Sequence, residues 1–211
     1  NCYTTFHEIL AKNAALFPDR IYVHCIDQDK SLTYGTLYGL SNRLSHFLKT
    51  NQIKANDRVL LLAENSVENL AIFVSVLRYG ATIATVHVEM NQGSLVEIIR
   101  AIDPKIILYQ GGLGLEPLKQ NTPGIWHLLG ELKGPKKSTG FFSEVHKFSD
   151  KDDLDSCAEP KDHGVIFYTS GTVAKPKGVI QTHANAFYNY DATADYLQLF
   201  PGARVLDCRS Y

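Results

Sequence analysis

Tyr168-Thr169-Ser170-Gly171-Thr172-Val173-Ala174-Lys175-Pro176-Lys177-Gly178-Val179 follows an apolar run, Val165-Ile166-Phe167, that reads as a buried strand. The strand gives way to hydroxyls, two glycines, a proline and two lysines. Gly171 and Gly178 let the backbone turn so that successive N–H groups can point at one anion. Thr169, Ser170 and Thr172 add hydroxyl donors. Lys175 and Lys177 bring positive charge to a stretch, His163 to Tyr190, that is otherwise without charged residues. This composition suits the grip of a polyphosphate. A Walker A loop is excluded, because Gly171 and Gly178 stand too far apart and Val179-Ile180-Gln181 reads as a strand. The G-x-G-x-x-G dinucleotide fingerprint is absent. The segment is expected to be strand–loop–strand.

Upstream of this loop, buried strands alternate with capped helices. Thr5-Phe6-His7-Glu8 is a capping box, and the helix it opens stops at Pro18. Ile21 to Ile26 and Ser31 to Thr33 read as two strands joined by a turn. Leu37, Leu40, Leu44, Phe47 and Leu48 mark one face of an amphipathic helix. Val59 to Ala63 is a buried strand, followed by a helix over 66–79 with Asn65 as cap, Glu68 as its box partner and Gly80 as its stop. Ala81 to Val88 is expected as the next strand. Ser94 to Glu97 is expected to box the helix that ends at Asp103-Pro104, and Lys105 to Tyr109 is a third strand. Strand, helix, strand, helix, strand implies a mainly parallel α/β sheet with right-handed crossovers and helices on both faces.

From Gly111 to His163 the periodicity fades. A short element at Ile125 to Leu128 and a helix near Phe141 to Phe148 are expected. Lys136-Lys137 reads as a solvated loop, and Asp150 to Asp162 as an acidic, exposed approach to the strand before the phosphate loop. Beyond the loop, Thr182 caps a helix whose face is Phe187, Tyr190, Ala194 and Leu197, and Arg204 to Asp207 is expected to start a strand.

The 211 residues are 45% hydrophobic and 20% charged, which is the composition of a globular chain with a real core. A net charge of -1 gives no general electrostatic case for nucleic acid or an anionic membrane surface. No apolar run is long enough to span a bilayer. The only methionine is Met90, so residue 1 is not read as a natural start. Four scattered cysteines without a C-x-x-C suggest reduced thiols and a cytoplasmic location. No side-chain metal site is read from the sequence.

At the phosphate loop the chain resembles the adenylate-forming superfamily, which includes acyl-CoA synthetases, luciferases and the adenylation domains of peptide synthetases. Its loop pattern, YTSG[ST]TGxPKGV, is matched at ten of twelve positions, counting the free one. The departures are Val173, where Thr is usual, and Ala174, where Gly is usual. Leu32-Thr33-Tyr34, Asn42-Arg43-Leu44-Ser45, Leu77-Arg78-Tyr79-Gly80-Ala81 and Thr182-His183-Ala184-Asn185 resemble further family stretches. Where the family usually has proline, this chain has residues around His87; a histidine there could touch ligand, and it is read as a core or loop histidine.

The resemblance implies that residues 1–211 are the N-terminal part of the large lobe of an AMP-binding (adenylation) domain, without its C-terminal lobe. It implies ATP, Mg2+ and coenzyme A, or a carrier-protein phosphopantetheine, as cofactors and co-substrates, and a small, possibly fatty, carboxylic acid as substrate. Thr169, Ser170, Gly171, Thr172, Val173, Ala174, Lys175, Lys177 and Gly178 are the expected ATP-phosphate contacts, with Thr169 the one candidate for magnesium. The expected activity is carboxylate–thiol ligation through an acyl-adenylate. The alternatives are an adenylation domain of a peptide-synthesis assembly line and a non-catalytic nucleotide-binding relative. This stretch by itself is expected not to make acyl-adenylate.

Overall fold

The structure, a computed structural model, describes residues 5–130, 140–169, 176–200 and 202–205. A six-stranded sheet runs in the order β6-β5-β3-β4-β7-β8. Its strands are β3 (Arg58–Leu62), β4 (Thr82–Thr85), β5 (Ile106–Gln110), β6 (Ile125–Gly130), β7 (His163–Thr169) and β8 (Lys177–Thr182). The first five are mutually parallel, and β8 returns antiparallel to β7. The expected parallel pairing of the strand at Val59 with the strand at Ile83 is present, residue against residue. A separate antiparallel hairpin, β1 (Ile21–Cys25) and β2 (Lys30–Thr33), lies apart from the main sheet.

The inner strands are apolar at nearly every position because both of their faces are covered. On one face, Val59, Leu61, Ile83, Leu108 and Val165 pack under helices α2 (Tyr34–Thr50), α3 (Val67–Tyr79) and α5 (Phe141–Val145). On the other, Leu60, Leu62, Ala84, Ile107 and Ile166 pack under α4 (Gln92–Ile102) and the 3-10 helix Glu116–Asn121. Connections toward β8 run over the first face and connections toward β6 over the second, as right-handed crossovers require. Helix α1 (Phe6–Leu16) and the β1–β2 hairpin close a third, smaller cluster around Leu10, Leu32 and Leu37.

The helix starts show where local reading succeeds and where it slips. Thr5 and Glu8 form the expected box on α1. Helix α3 is capped by Ser66 rather than Asn65. Glu68 takes no part in a box, because it is drawn to Lys30 Nζ at 2.9 Å and Gln28 Nε2 at 2.9 Å on the hairpin turn. Gln28 Oε1 also accepts the Val67 N–H at 2.7 Å, so a distant side chain helps to cap α3. Helix α4 starts at Asn91, whose Oδ1 accepts the Ser94 N–H at 2.9 Å, and not at Ser94 itself. Strand β4 is shorter than expected, because the chain turns at His87, whose carbonyl accepts the Met90 N–H. Gly80 ends α3 at φ 101°. A Cβ there would also meet the Ala158 backbone nitrogen at 2.6 Å, so both conformation and space require glycine.

The acidic approach segment is exposed along much of its length, but it is not a free linker. Arg43 pairs with Asp150 at 2.8 Å and donates to the carbonyls of His146 and Phe148, and Asn42 donates to the Asp150 carbonyl. Arg78 is fully buried, donates to Ser45 Oγ at 2.9 Å and pairs with Asp153. Its guanidinium lies over the Tyr38 ring, and His7 Nε2 stands 3.4 Å from Asp153. Further on, the Cys157 N–H donates to the Tyr79 carbonyl, and Asn56 bridges Asp162 and the His163 N–H at 2.8 Å each. The segment is a strap across α1, α2 and α3 that delivers the chain to β7.

Two half-buried or buried histidines set an acid limit. Burial pushes the His127 pKa down, against the opposing pull of Glu144 at 3.5 Å. Burial likewise pushes the His183 pKa down, against the Gly80 carbonyl and Asp162. Neither ring's Nε2 has a partner among the described residues. The unfolded chain therefore binds more protons than the folded one below the ordinary value of 6.5. Stability should be full above that pH and fall as pH drops from it toward the lowered folded values. Urea titrations between pH 7.5 and 5 check this, and His127→Phe should flatten the slope. A slope unchanged by His127→Phe would remove this residue from the explanation.

Candidate functional site at the carboxyl end of the sheet

Five parallel strands bring their carboxyl ends to one edge of the sheet. The chain leaves β3 over one face and leaves both neighbours, β4 and β5, over the other. Between β3 and β5 the strand order also reverses, and adjacent strands that part in this way open a crevice at their carboxyl ends, where open α/β sheets take ligands. The β3–β5 crevice is closed by polar contacts. Gln110 Oε1 accepts the Glu64 N–H at 3.0 Å, and its Nε2 donates to the Glu64 carboxylate at 3.1 Å. Asn69 Nδ2 holds the Ala63 and Glu64 carbonyls at 3.1 Å each, which fixes the turn after β3.

Beside this edge the chain passes from β7 to β8. Strand β7 is anchored on both faces. Val165 sits in one core cluster and Ile166 in the other, Phe167 stacks on Phe73, and burial raises the Tyr168 pKa. The hairpin register is Phe167↔Val179, Tyr168↔Gly178 and Thr169↔Lys177. The strand–loop–strand expectation holds for these flanks. Ser170, Gly171, Thr172, Val173, Ala174 and Lys175, as well as the Thr169 side chain, lie outside the described residues. Lys177 opens β8 with an exposed side chain, directly across from Thr169.

Gly178 lies within β8, rather than in a turn as its place in the motif suggested. A Cβ on it would come within 3.1 Å of two Tyr168 ring carbons and 3.3 Å of Ile166. The missing side chain lets the Tyr168 ring lie across the partner strand. This glycine therefore leaves room for the Tyr168 ring at the paired position of the hairpin.

Other expected features fall elsewhere. His87 takes the loop alternative of its reading: it lies just past the carboxyl end of β4 and is exposed. Thr182 caps α6 (His183–Tyr196) with Asn185 as box partner. Of the apolar face expected on α6, only Phe187 is buried; Tyr190 and Leu197 are more than half exposed, as are neighbouring Tyr196 and Phe200. Arg204 and Val205 are in no strand, and Leu206 and Asp207 lie outside the described residues, as do Lys136 and Lys137. Among the described residues, no group of three His, Cys, Asp or Glu side chains could hold a metal ion. No described helix is long and apolar enough to cross a membrane.

The comparisons with known proteins agree with this layout. The model of the AMP-binding enzyme family matches residues 10–208. The hybrid PKS-NRPS synthetase TAS1 of Gloeophyllum trabeum is 27% identical over 209 residues, which is 98% of this chain and 13% of that protein. Tyrocidine synthase 1 of Brevibacillus parabrevis is 25% identical over 179 residues, 85% of this chain and 15% of that one. The chain thus spans a small part of the curated relatives it matches. Among solved structures, VinN in complex with 3-methylaspartate superposes with a TM-score of 0.78 at 20% identity, covering 92% of this chain and 52% of that one. The anthranilate CoA ligase AuaEII in complex with anthranoyl-AMP does so with a TM-score of 0.76 at 20% identity, covering 92% and 37%. These two likenesses are of fold. The parallel sheet, the hairpin that carries the phosphate-loop motif and a family match across nearly the whole stretch agree, and the chain belongs to the AMP-binding enzyme family.

Proposed function

We propose that the protein is an ATP-dependent carboxylate–thiol ligase. The observation that carries this reading is the loop motif, set between β7 and β8 beside the carboxyl ends of five parallel strands. In the reaction, a carboxylate oxygen attacks the α-phosphorus of ATP, the bond to the bridging oxygen breaks, and pyrophosphate leaves. A thiol then takes the acyl group and AMP departs. The first step needs neutralised phosphate oxygens and correct placement more than it needs a base. Thr169, Ser170, Gly171 and Thr172 would face the β and γ phosphates, with Lys175 and Lys177 supplying charge. Thr169 would be this stretch's contact to a magnesium ion bound with the phosphates, which would neutralise charge on their oxygens.

Two acceptors fit the reading. Coenzyme A is the first, with a fatty or other small carboxylic acid as substrate. The second is the phosphopantetheine of a carrier protein, favoured by the likeness to multi-domain peptide synthetases. Carboxylate-dependent exchange of labelled pyrophosphate into ATP, run on the intact protein with amino, fatty and aromatic acids, tests the first half-reaction. Trapping of the acyl group by coenzyme A or by a holo-carrier then separates the acceptors. No exchange with any acid class would count against the ligase and leave a nucleotide-binding relative. The expectation that residues 1–211 alone support no exchange is tested in the same assay.

A further inference from the structure

We infer that residues 149–155, the first part of the acidic strap, form a flap that opens from α1, α2 and α3 while the chain on either side of it stays in place. The two parts of the strap are held by different means. Among the described residues, no backbone–backbone hydrogen bond holds residues 149–155. Their ties to the helices are made by side chains: Arg43 and Asn42 to Asp150, Arg78 and His7 to Asp153, and His46, whose Nε2 stands 3.0 Å from the Asp152 carbonyl. From Cys157 onward the backbone itself is tied. The Cys157 N–H donates to the Tyr79 carbonyl at 2.8 Å, and the Pro160 and Asp162 carbonyls accept from the Ala184 and His183 N–H groups at 2.9 Å each. At the other end, Phe148 packs against the core under α2, edge-on to Phe47 with ring centroids 6.4 Å apart. The flap thus lies between one apolar anchor and one backbone hinge.

The flap contributes little apolar surface. Leu154 is its one apolar side chain; it is half-buried and belongs to none of the three core clusters. The groups that face the flap are polar. Tyr38, Asn42 and Ser45 stand at i, i+4 and i+7 on α2, and so along one stripe. Arg78 of α3 lies along that stripe: it donates to Ser45 Oγ at 2.9 Å, and its guanidinium carbon is 5.2 Å from the centre of the Tyr38 ring. Asn42 and Arg78 are both buried, yet Asn42 Oδ1 and Arg78 Nε have no partner among the described residues. Such atoms gain hydrogen bonds when water reaches them, which offsets part of what opening breaks. The closure is held by charge pairing rather than by hydrophobic burial. It opens with little added apolar exposure, as a local event separate from unfolding of the sheet. Opening frees Arg43 and Arg78 and leaves β7 delivered by the backbone ties beyond Cys157.

In the intact protein, labelling of the buried Arg78 by phenylglyoxal reports the opening, with the exposed Arg100 as reference. Hydrogen exchange at the Cys157 amide reports the hinge. The Arg78 labelling rate should rise with urea at less than about half the slope of global unfolding, because little surface is exposed. Raising salt from about 0.05 to 0.5 M should speed it by about threefold, since part-exposed pairs such as Arg43–Asp150 are screened. Asp153→Asn should speed it by about tenfold or more, because the buried cation loses its charged partner. Exchange at Cys157 should not change in either case. Arg78 labelling with the full urea slope of global unfolding would overturn the inference, and so would release of the Cys157 amide in step with Arg78. Labelling indifferent to salt would remove charge pairing as what holds the flap. The wild-type urea and salt series decides the matter by itself where Asp153→Asn does not fold.

Discussion

Asp153→Ala should cost about 3 kcal/mol or more of folding stability, an unusually large effect for a residue on an exposed acidic segment. The reason lies with its partner. Arg78 has no exposed side-chain surface, and Asp153 is the one carboxylate paired with it among the described residues. Burial already pulls the Arg78 pKa down, and the Asp153 charge is the main force opposing that pull. Arg78 Nε has no partner among the described residues, so the site has little spare capacity to hold a lone cation. Removing Asp153 leaves that cation buried and uncompensated, which is the expensive way to break an ion pair. Arg78→Met should cost less, because it removes the buried charge and leaves an aspartate that water can reach. The double variant Arg78→Met/Asp153→Leu should return toward wild type, since a well-packed apolar pair often replaces a buried ion pair without loss. Chemical unfolding of the intact protein, fitted for midpoint and slope, measures all three. A loss below about 1 kcal/mol for Asp153→Ala would class the pair with ordinary surface salt bridges.

That ion pair also shows where reading a sequence runs out. The parallel sheet was legible because strands covered on both faces must be apolar at successive positions, as at Val59-Leu60-Leu61-Leu62. Between such runs, glycine and Asp-Pro stops marked the helix ends. The precise caps of α3 and α4 were less legible. Several Ser and Asn residues compete within a turn of each start, and Glu68 was claimed by Gln28 and Lys30 from a different hairpin. The strap is a stronger case. Its aspartates have the composition of a solvated loop, and the arginines that bind them lie far back in the chain on α2 and α3. Nothing local distinguishes a paired aspartate from a free one. For the site, the loop motif was legible as chemistry, because its donors are consecutive. The strand beside β7 was not, since which strand pairs with it, and in what register, depends on the whole topology. The α6 face failed for a related reason: helical spacing identifies an apolar stripe, but burial also needs a surface to cover it.

Lys177→Ala should lower the carboxylate-dependent pyrophosphate exchange rate by roughly thirtyfold to several hundredfold, equivalent to about 2–4 kcal/mol of lost transition-state stabilisation. The lysine sits at the first position of β8, and its backbone is fixed by pairing with Thr169. One residue on, Gly178 admits the Tyr168 ring across the hairpin, so this register has little room to slip. A charge held on such a frame meets the phosphates without reorganising, which is the condition under which it stabilises a transition state most. Its contribution to folding is expected to be small. The side chain is exposed at the edge strand, and surface substitutions of this kind usually stay within about 0.5 kcal/mol. Lys177→Arg, which keeps the charge but changes the reach and donor geometry, should recover part of the rate. Exchange kinetics beside a thermal melt separate the two roles. A normal rate with a lowered melting temperature would make Lys177 a structural residue of the hairpin. A large loss of rate at an unchanged melting temperature is the result that a phosphate-facing lysine requires.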